Sequence, residues 1–421
     1  MKFGEMNMNL RERFHEIMNF NTKVKSIKWE MAYWGKTLDR WYCEGLKKIR
    51  YPDITKHGTF ITSTSNLYYP AWNSIKKTKL PDGIAITGGG LYWPTQGFPL
   101  DTDVRDQFKL DNSQILLNIN LLFYPQFEIQ VLEENENFMV YIDLDGVKRK
   151  FLKETATIPS SLEYPIRDWK SWQEIKANRL SFDSLSSRFP PDWQGKILEY
   201  RNRDYPLAIG GYPYGFFGTL AHLLGYERLF TFYYDEPELI HDIVNTFTEL
   251  WIEIYSQVLF DLEVDMVQIW EDISYGSGSM VSPRVMKEFM LPYYKKFIEF
   301  LRVRGVNHFI VDTDGDCFDI IPFFIEAGVT ALFPFEKGGK TSLRKVRKHF
   351  PRLAMMGGIP KGEIGQGKDR VNQLLIEVEE ILKTGGYIPF ADHSIPPGIS
   401  FQEFSYYRNQ LNQLINKTGE Q

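Results

Sequence analysis

The stretch His308 to Asp316, HFIVDTDGD, holds the residues best suited to chemistry. An apolar run, His308-Phe309-Ile310-Val311, stops abruptly in Asp312, Asp314 and Asp316. Packing does not explain three carboxylates at the end of an apolar strand; they must face water, each other, a cation or a substrate. Similar tips recur along the chain. Val264 to Trp270 ends in Glu271-Asp272, Thr330 to Phe335 in Glu336, and Tyr387 to Phe390 in Asp392-His393. A short early strand, Ser26 to Glu30, also stops in a carboxylate and leads into Met31-Ala32-Tyr33-Trp34. Asp316, just before a helix, reads as a cap. Asp312, on the strand end itself, does not.

Carboxylates gathered at close range cannot all stay ionised. Three chemistries resolve the conflict. A divalent cation neutralises them, with His393 as the nitrogen ligand. One carboxyl keeps its proton and serves as a general acid. Or a cationic substrate sits among them, held by ring faces from Trp270, Tyr275, Phe335 and the Trp29 to Trp34 segment. No HExxH, CxxC or GxSxG pattern offers another chemistry.

These tips need a scaffold that brings them together. From Pro206 the chain alternates short apolar strands with helical segments: strands near 207–209, 264–270, 308–312, 330–335, 353–356 and 387–390. The first of these ends in the turn Gly210 to Gly215, which carries Tyr212. Adding the strand near 27 and one within 50–122 gives eight. An α/β fold of (β/α)8 TIM-barrel type is predicted, because a barrel brings every strand tip to one mouth, whereas an open sheet does so only at its switch point. About 113–152 alternates apolar and polar residues around Asp145-Gly146, predicting an antiparallel β-hairpin insertion. Residues 1–421 are expected to form a single domain. The Gly88-Gly89-Gly90 run lacks both the P-loop Lys-Ser/Thr and the GxGxxG spacing, so it is a weak phosphate cradle.

Composition narrows the partners. The chain is 43% hydrophobic and 24% charged, ordinary for a soluble globular protein. A net charge of -5 gives no basic field for nucleic acid. Two cysteines, Cys43 and Cys317, make no disulfide framework and suit a reducing cytoplasm. The charged N-terminus is unlike a signal peptide, and no apolar run approaches the ~20 residues of a membrane span.

The order IWEDISYGSGSMVSPRVMKEFMLPYYKKF, VDTDGDC, IPFFIEAGVTALFPFE, MMGGIPKGEI and GGYIPFADHSIPPGISFQEF resembles the uroporphyrinogen decarboxylase superfamily. WEMAYWGKTLDRWYCEGL resembles the start of its corrinoid-methyltransferase-like branch. The resemblance implies a barrel with its site at the C-terminal mouth. It also implies one of two chemistries: cofactor-free decarboxylation of uroporphyrinogen, or methyl transfer involving a corrinoid protein and zinc. This chain lacks a MRQAGRY-like segment, and its rim is acidic, which would repel an anionic tetrapyrrole. In zinc-dependent members an HxC pair and a later Cys bind the metal. Their places here resemble Asp312, Asp314 and His393, an oxygen and imidazole set.

The resulting expectation is a cytoplasmic methyltransferase acting on a small O- or N-methylated compound with a separate corrinoid protein. The chain carries no DxHxxG-type cobalamin motif of its own. Asp312, Asp314, His393 and Glu336 are the expected ligands of a divalent metal, zinc foremost. Glu271, Asp312 and Asp314 are the expected catalytic residues. Glu30, Tyr33, Trp34, Tyr212, Trp270, Asp272, Tyr275, Phe335 and Asp392 are expected around the substrate. The insertion and the resemblance point to a homodimer. The alternatives are decarboxylation, which needs Arg13, Arg40 or Arg203 facing inward, and non-enzymatic binding of a cationic ligand in an aromatic cage.

Overall fold

This computed structural model describes residues 8–47, 102–112, 114–117, 119–152, 159–336 and 341–419. The Gly88 to Gly90 run lies outside the described residues. Thirteen strands are named here in chain order. They are β1 (Ile115–Leu116), β2 (Gln130–Glu134), β3 (Phe138–Ile142), β4 (Lys148–Leu152), β5 (Ser160–Glu163), β6 (Leu207–Gly210), β7 (Met266–Trp270), β8 (Ser274–Tyr275), β9 (Gly278–Ser279), β10 (His308–Asp312), β11 (Ala331–Phe335), β12 (Ala354–Ile359) and β13 (Tyr387–Ala391).

Seven of them form one curled parallel sheet in the order β1-β6-β7-β10-β11-β12-β13. The strands of this sheet from β10 to β13 are buried throughout, as expected of parallel strands covered on both faces. Alternate residues sort into two cores. Phe309, Val311, Val267 and Leu332 face the surrounding helices. Ile310, Met266, Phe333, Met356 and Phe390 face inward, where Phe14, Ile17 and Met18 of the helix Leu10–Met18 join them. Burying each of those three side chains contributes about 1.5–3 kcal/mol.

Where an eighth strand was expected, residues 26–34 run beside β13 with a single parallel bridge, Tyr33 to Ile395. Side chains replace the ladder. Ser26 Oγ donates to Tyr387 O at 2.9 Å, and Glu30 Oε1 accepts from Ala391 N at 2.7 Å. On the other side Trp29 Nε1 donates to Asn112 O at 2.7 Å, and Asp111 N to Lys28 O at 3.1 Å. The Glu30 carboxylate thus takes the donor that a strand carbonyl would otherwise accept.

The insertion starts later than expected. Ile115 and Leu116 pair with β6 in the main sheet, and the antiparallel sheet is β2-β3-β4-β5, four strands over 130–163. Phe127, expected on its first strand, instead packs its ring under Gly146, where a Cβ would lie 2.9 Å from it. After β6 come two short helices, Gly218–Leu224 and Tyr226–Asp235, divided at Gly225. The next, Pro237–Asp261, starts after Glu236 with proline in its first turn, which needs no N–H there. The long helix after Ser282 breaks into Pro283–Phe289 and Leu291–Arg302, since Pro292 cannot continue the hydrogen-bond ladder. Trp172 is fully buried and donates to Asp242.

Candidate active site at the strand tips

Register fixes which residues share a rim. Asp312 pairs with both Trp270 and Phe333, Phe335 with Gly357, and Ile359 with Ala391. Glu271, Asp272, Asp312 to Asp314, Glu336, Lys361, Asp392 and His393 therefore emerge at one end of the sheet. The pairing of β11 with β12 shifts between Leu332 and Phe335, an irregularity of the kind that re-aims side chains beside sites.

Asp312 continues the inward parity of Ile310 and stands above the inner core. It is 7% exposed and accepts from Gln268 Nε2 at 3.2 Å. Burial, then the charges of Asp314 and Asp272, pushes its carboxyl well above the usual range. Asp272 behaves similarly: burial, then Asp314, raises it to about 7, against the opposing pull of His393. Its φ of 42° places it in the left-handed region, strained for a non-glycine residue and a frequent mark of functional sites. Asp314 is more open, and His393 Nε2 lies 3.5 Å from its Oδ2. Gly315, at φ 73°, follows it; a Cβ there would meet the Tyr275 backbone at 2.7 Å. Glycine is what lets the β10 tip turn beneath the β8–β9 hairpin.

Other rim residues are engaged. Glu336 accepts from Lys361 Nζ at 2.9 Å and from Gly315 N at 2.8 Å. Asp392 Oδ1 accepts from Lys361 N at 2.8 Å. Asp316, one residue before the N-cap Cys317, accepts from Phe318 N at 3.3 Å as a local turn bond and from Thr341 Oγ1 at 2.6 Å.

Glu271 turns away from the mouth. Oε1 accepts from Phe216 N at 3.1 Å and from the Tyr294 hydroxyl, and Oε2 accepts from Phe217 N at 2.7 Å and Gly218 N at 3.0 Å. Four donors fill the lone pairs of a carboxylate. Burial nonetheless raises the group to about 7 against those bonds. Its geometry is that of an anchor for the turn that opens helix Gly218–Leu224. The turn lies so close to β7 that a Cβ on Gly218 would meet Trp270 O at 2.2 Å.

The expected substrate residues divide. Tyr212 packs edge-on against Trp270 with ring centroids 4.5 Å apart, and Tyr275 is exposed on the rim. Trp34 is partly exposed, and its N donates to Ile395 O at 3.2 Å. Tyr33 and Phe335 instead lie buried in the helix-facing core, Tyr33 against Trp41 and Phe404. Glu30 is sealed in the wall, where Tyr407 and Arg408 both donate to its Oε2 at 3.2 Å. Burial raises its carboxyl against the Arg408 charge.

Among the described residues, no three His, Cys, Asp or Glu side chains are placed to hold a metal ion. Asp314 and His393 approach each other, and Glu336 is bound to Lys361.

The uroporphyrinogen decarboxylase (URO-D) profile matches residues 200–411, half of the chain, and covers every strand from β6 to β13. The chain belongs to the uroporphyrinogen decarboxylase family. Among solved structures, a methyltransferase from Methanosarcina mazei matches with a TM-score of 0.55 at 13% identity, over 96% of this chain and 100% of that one. This likeness is one of fold. No curated protein matches the chain.

Within this URO-D scaffold, several residues at the mouth escaped sequence reasoning. Gln268 was legible as a polar residue inside the apolar run MVQIW. Lys361 sits in IPKGEI with no periodic signal, and Tyr226 opens a helix. Burial, then Asp272, holds the Tyr226 hydroxyl above its usual range. His308, at the opposite end of β10, bonds His15 at 3.0 Å rather than any mouth residue.

Proposed function

We propose that this URO-D family member is a methyltransferase that moves a methyl group between a small O- or N-methylated compound and a separate corrinoid protein. The observation that carries the reading is the buried Asp312 carboxyl at the tip of β10, which burial and the charges of Asp314 and Asp272 push well above the usual range. When a methyl group leaves a heteroatom, the electron pair of the broken bond stays on that atom, which then takes up a proton. Asp312 supplies it as general acid, and Asp272, titrating at about 7, returns the site to its starting charge. The edge-packed Trp270 and Tyr212 rings and the exposed Tyr275 offer apolar faces for the methyl-bearing end. The corrinoid of the partner protein serves as the methyl acceptor or donor. The name of the fold neighbour from Methanosarcina mazei supports the same class of reaction.

A divalent metal is not assigned a step, because the described carboxylates and His393 do not converge as ligands. Decarboxylation of a polyanionic substrate is less well supported. Arg13 is bound to Asp111 and Ser26 O, Arg40 to Glu44 and Pro397 O, and Arg203 to Asp265. Among the described residues, two rings expected in an aromatic cage for a cation, Phe335 and Tyr33, lie in the helix-facing core instead.

The test incubates the protein with cob(I)alamin and a panel of methyl ethers and methylamines, following formation of methylcobalamin by its absorbance. The expected result is turnover of at least one compound, lowered about 10²-fold or more by Asp312→Asn. Release of CO2 from uroporphyrinogen with no methyl transfer would overturn the reading.

A further inference from the structure

We propose that Tyr212, His222 and Asp145 form a proton relay that serves the mouth, with the insertion sheet supplying its terminal carboxyl. Tyr212 stands at the tip of β6, half-buried, its ring against Trp270. Its hydroxyl lies 3.3 Å from His222 Nδ1. His222 Nε2 lies 2.9 Å from Asp145 Oδ2. Hydroxyl, imidazole and carboxyl thus follow one another in hydrogen-bond reach, the arrangement by which a base and its orienting group activate a hydroxyl. His222 and Asp145 are buried, so solvent does not compete for their bonds. They come from helix Gly218–Leu224 and from the β3–β4 turn.

The turn is built to hold that carboxyl. Asp143 Oδ1 accepts from Asp145 N and Val147 N, each at 2.9 Å, and Arg149 Nε donates to Asp143 Oδ2 at 2.5 Å. The charged and titratable groups facing His222 are therefore Asp145, Asp143 and Arg149 from the insertion and Tyr212 from the β6 tip. Burial, then Arg149, holds His222 down to about 3, and burial lifts Asp145 to about 7. The imidazole stays neutral while the carboxyl titrates near neutrality.

Proton positions then follow from bonding alone. With Asp145 ionised, the imidazole proton is on Nε2, and Nδ1 accepts from the Tyr212 hydroxyl. A substrate proton can pass to Tyr212 Oη while the tyrosine proton passes to Nδ1 and the Nε2 proton to Asp145, leaving a neutral imidazole beside the protonated carboxyl. With Asp145 protonated, the carboxyl donates to Nε2, the imidazole proton sits on Nδ1, and Nδ1–H donates to Tyr212 Oη. That hydroxyl can then donate to a leaving heteroatom. Tyr212 touches the substrate in this scheme; His222 and Asp145 are positioning residues.

The service to methyl transfer rests on the function proposed above, and the relay has a test that does not. In full-length protein labelled with 15N-histidine, His222 is identified from the signal lost in His222→Gln. We expect its proton on Nε2 at about pH 8 and on Nδ1 at about pH 6, with no gain of charge. In Asp145→Asn this dependence disappears. A single tautomer across the range, or a doubly protonated ring at the lower pH, would overturn the relay. In the cob(I)alamin assay, Tyr212→Phe should lower turnover about 10²-fold, and Asp145→Asn should flatten the pH profile near neutrality. Wild-type turnover in Tyr212→Phe would remove the relay from the reaction. Absence of turnover in wild type would count against the proposed function, while the tautomer experiment would still decide the relay.

Discussion

Asp314 Oδ2 and His393 Nε2 stand 3.5 Å apart, joining the tips of β10 and β13 across the mouth. The side chains are 35% and 21% exposed, so the pair is partly screened by solvent. A half-open polar contact of this kind contributes about 0–1 kcal/mol. Asp314→Ala and His393→Ala are therefore expected to unfold in denaturant within about 1 kcal/mol of wild type, while methyl-transfer turnover drops about 10-fold or more. Equal stability with full turnover in both variants would remove the pair from the site.

Asp312 should make the protein less stable as the pH rises. Its carboxyl is raised in the folded state, chiefly by burial. Above the ordinary aspartate value the unfolded chain loses this proton while the folded chain keeps it, so the folded state binds more protons and stability falls with pH. Each pH unit of that difference costs about 1.4 kcal/mol. Asp312→Asn should escape the penalty, gaining on wild type as the pH goes from about 4 toward 8, and at the same time lose turnover. Denaturant unfolding at several pH values measures the gap; a gap independent of pH would mean that Asp312 is ionised in the fold.

Asp312, Asp316 and Glu271 show how far the sequence could be read. An apolar run with polar tips fixes a buried parallel strand, and β10 falls where HFIVD predicts it. Asp316 makes a local turn bond to Phe318 N, but the N-cap of the helix is Cys317, so its place before a helix was legible and its capping role was not. Glu271 also lies at a strand tip, but its acceptors are committed to main-chain donors more than fifty residues earlier, a long-range fact that no local pattern carries. The same holds for Asp145 meeting His222 and for Glu30 meeting Arg408. Tyr33 and Phe335 were misjudged for a different reason: a ring beside a strand tip can pack inward or into the helix layer, and composition does not distinguish the two. The eighth strand reduces to one bridge because the Glu30 side chain takes over part of its ladder.

Glu271→Gln separates an anchor from a catalyst. The amide would present its N–H2 to some of the four donors that now point at the carboxylate. Leaving buried donors unmatched costs about 1–3 kcal/mol each. The variant should lose a few kcal/mol of stability in denaturant unfolding, and its remaining folded fraction should turn over with unchanged pH dependence. A variant as stable as wild type but inactive would instead place Glu271 in the chemistry.

Asp265, at the opposite end of the sheet, should show the reverse pH behaviour of Asp312. It accepts from Arg11 Nε at 2.6 Å, His15 Nε2 at 2.7 Å, Arg203 at 2.8 Å and Leu207 N at 2.7 Å. Burial alone would raise its carboxyl, but the bonds from His15, Arg203 and Arg11 overcome that and hold it well below the usual range. A lowered folded value gives stability that is present above the unfolded aspartate value of about 4 and is lost as the pH falls through it toward the folded one. Asp265→Asn leaves the buried Arg203 without its counter-charge and should cost about 3–5 kcal/mol near pH 7. The difference from wild type should shrink on acidification below about pH 4, where both chains lack the ionised partner in the unfolded state and the wild-type advantage fades. Turnover per folded molecule should stay near wild type, because the mouth lies at the other end of β7 and β10. A constant difference down to low pH would mean that shape, and not the charge of Asp265, closes the floor of the fold.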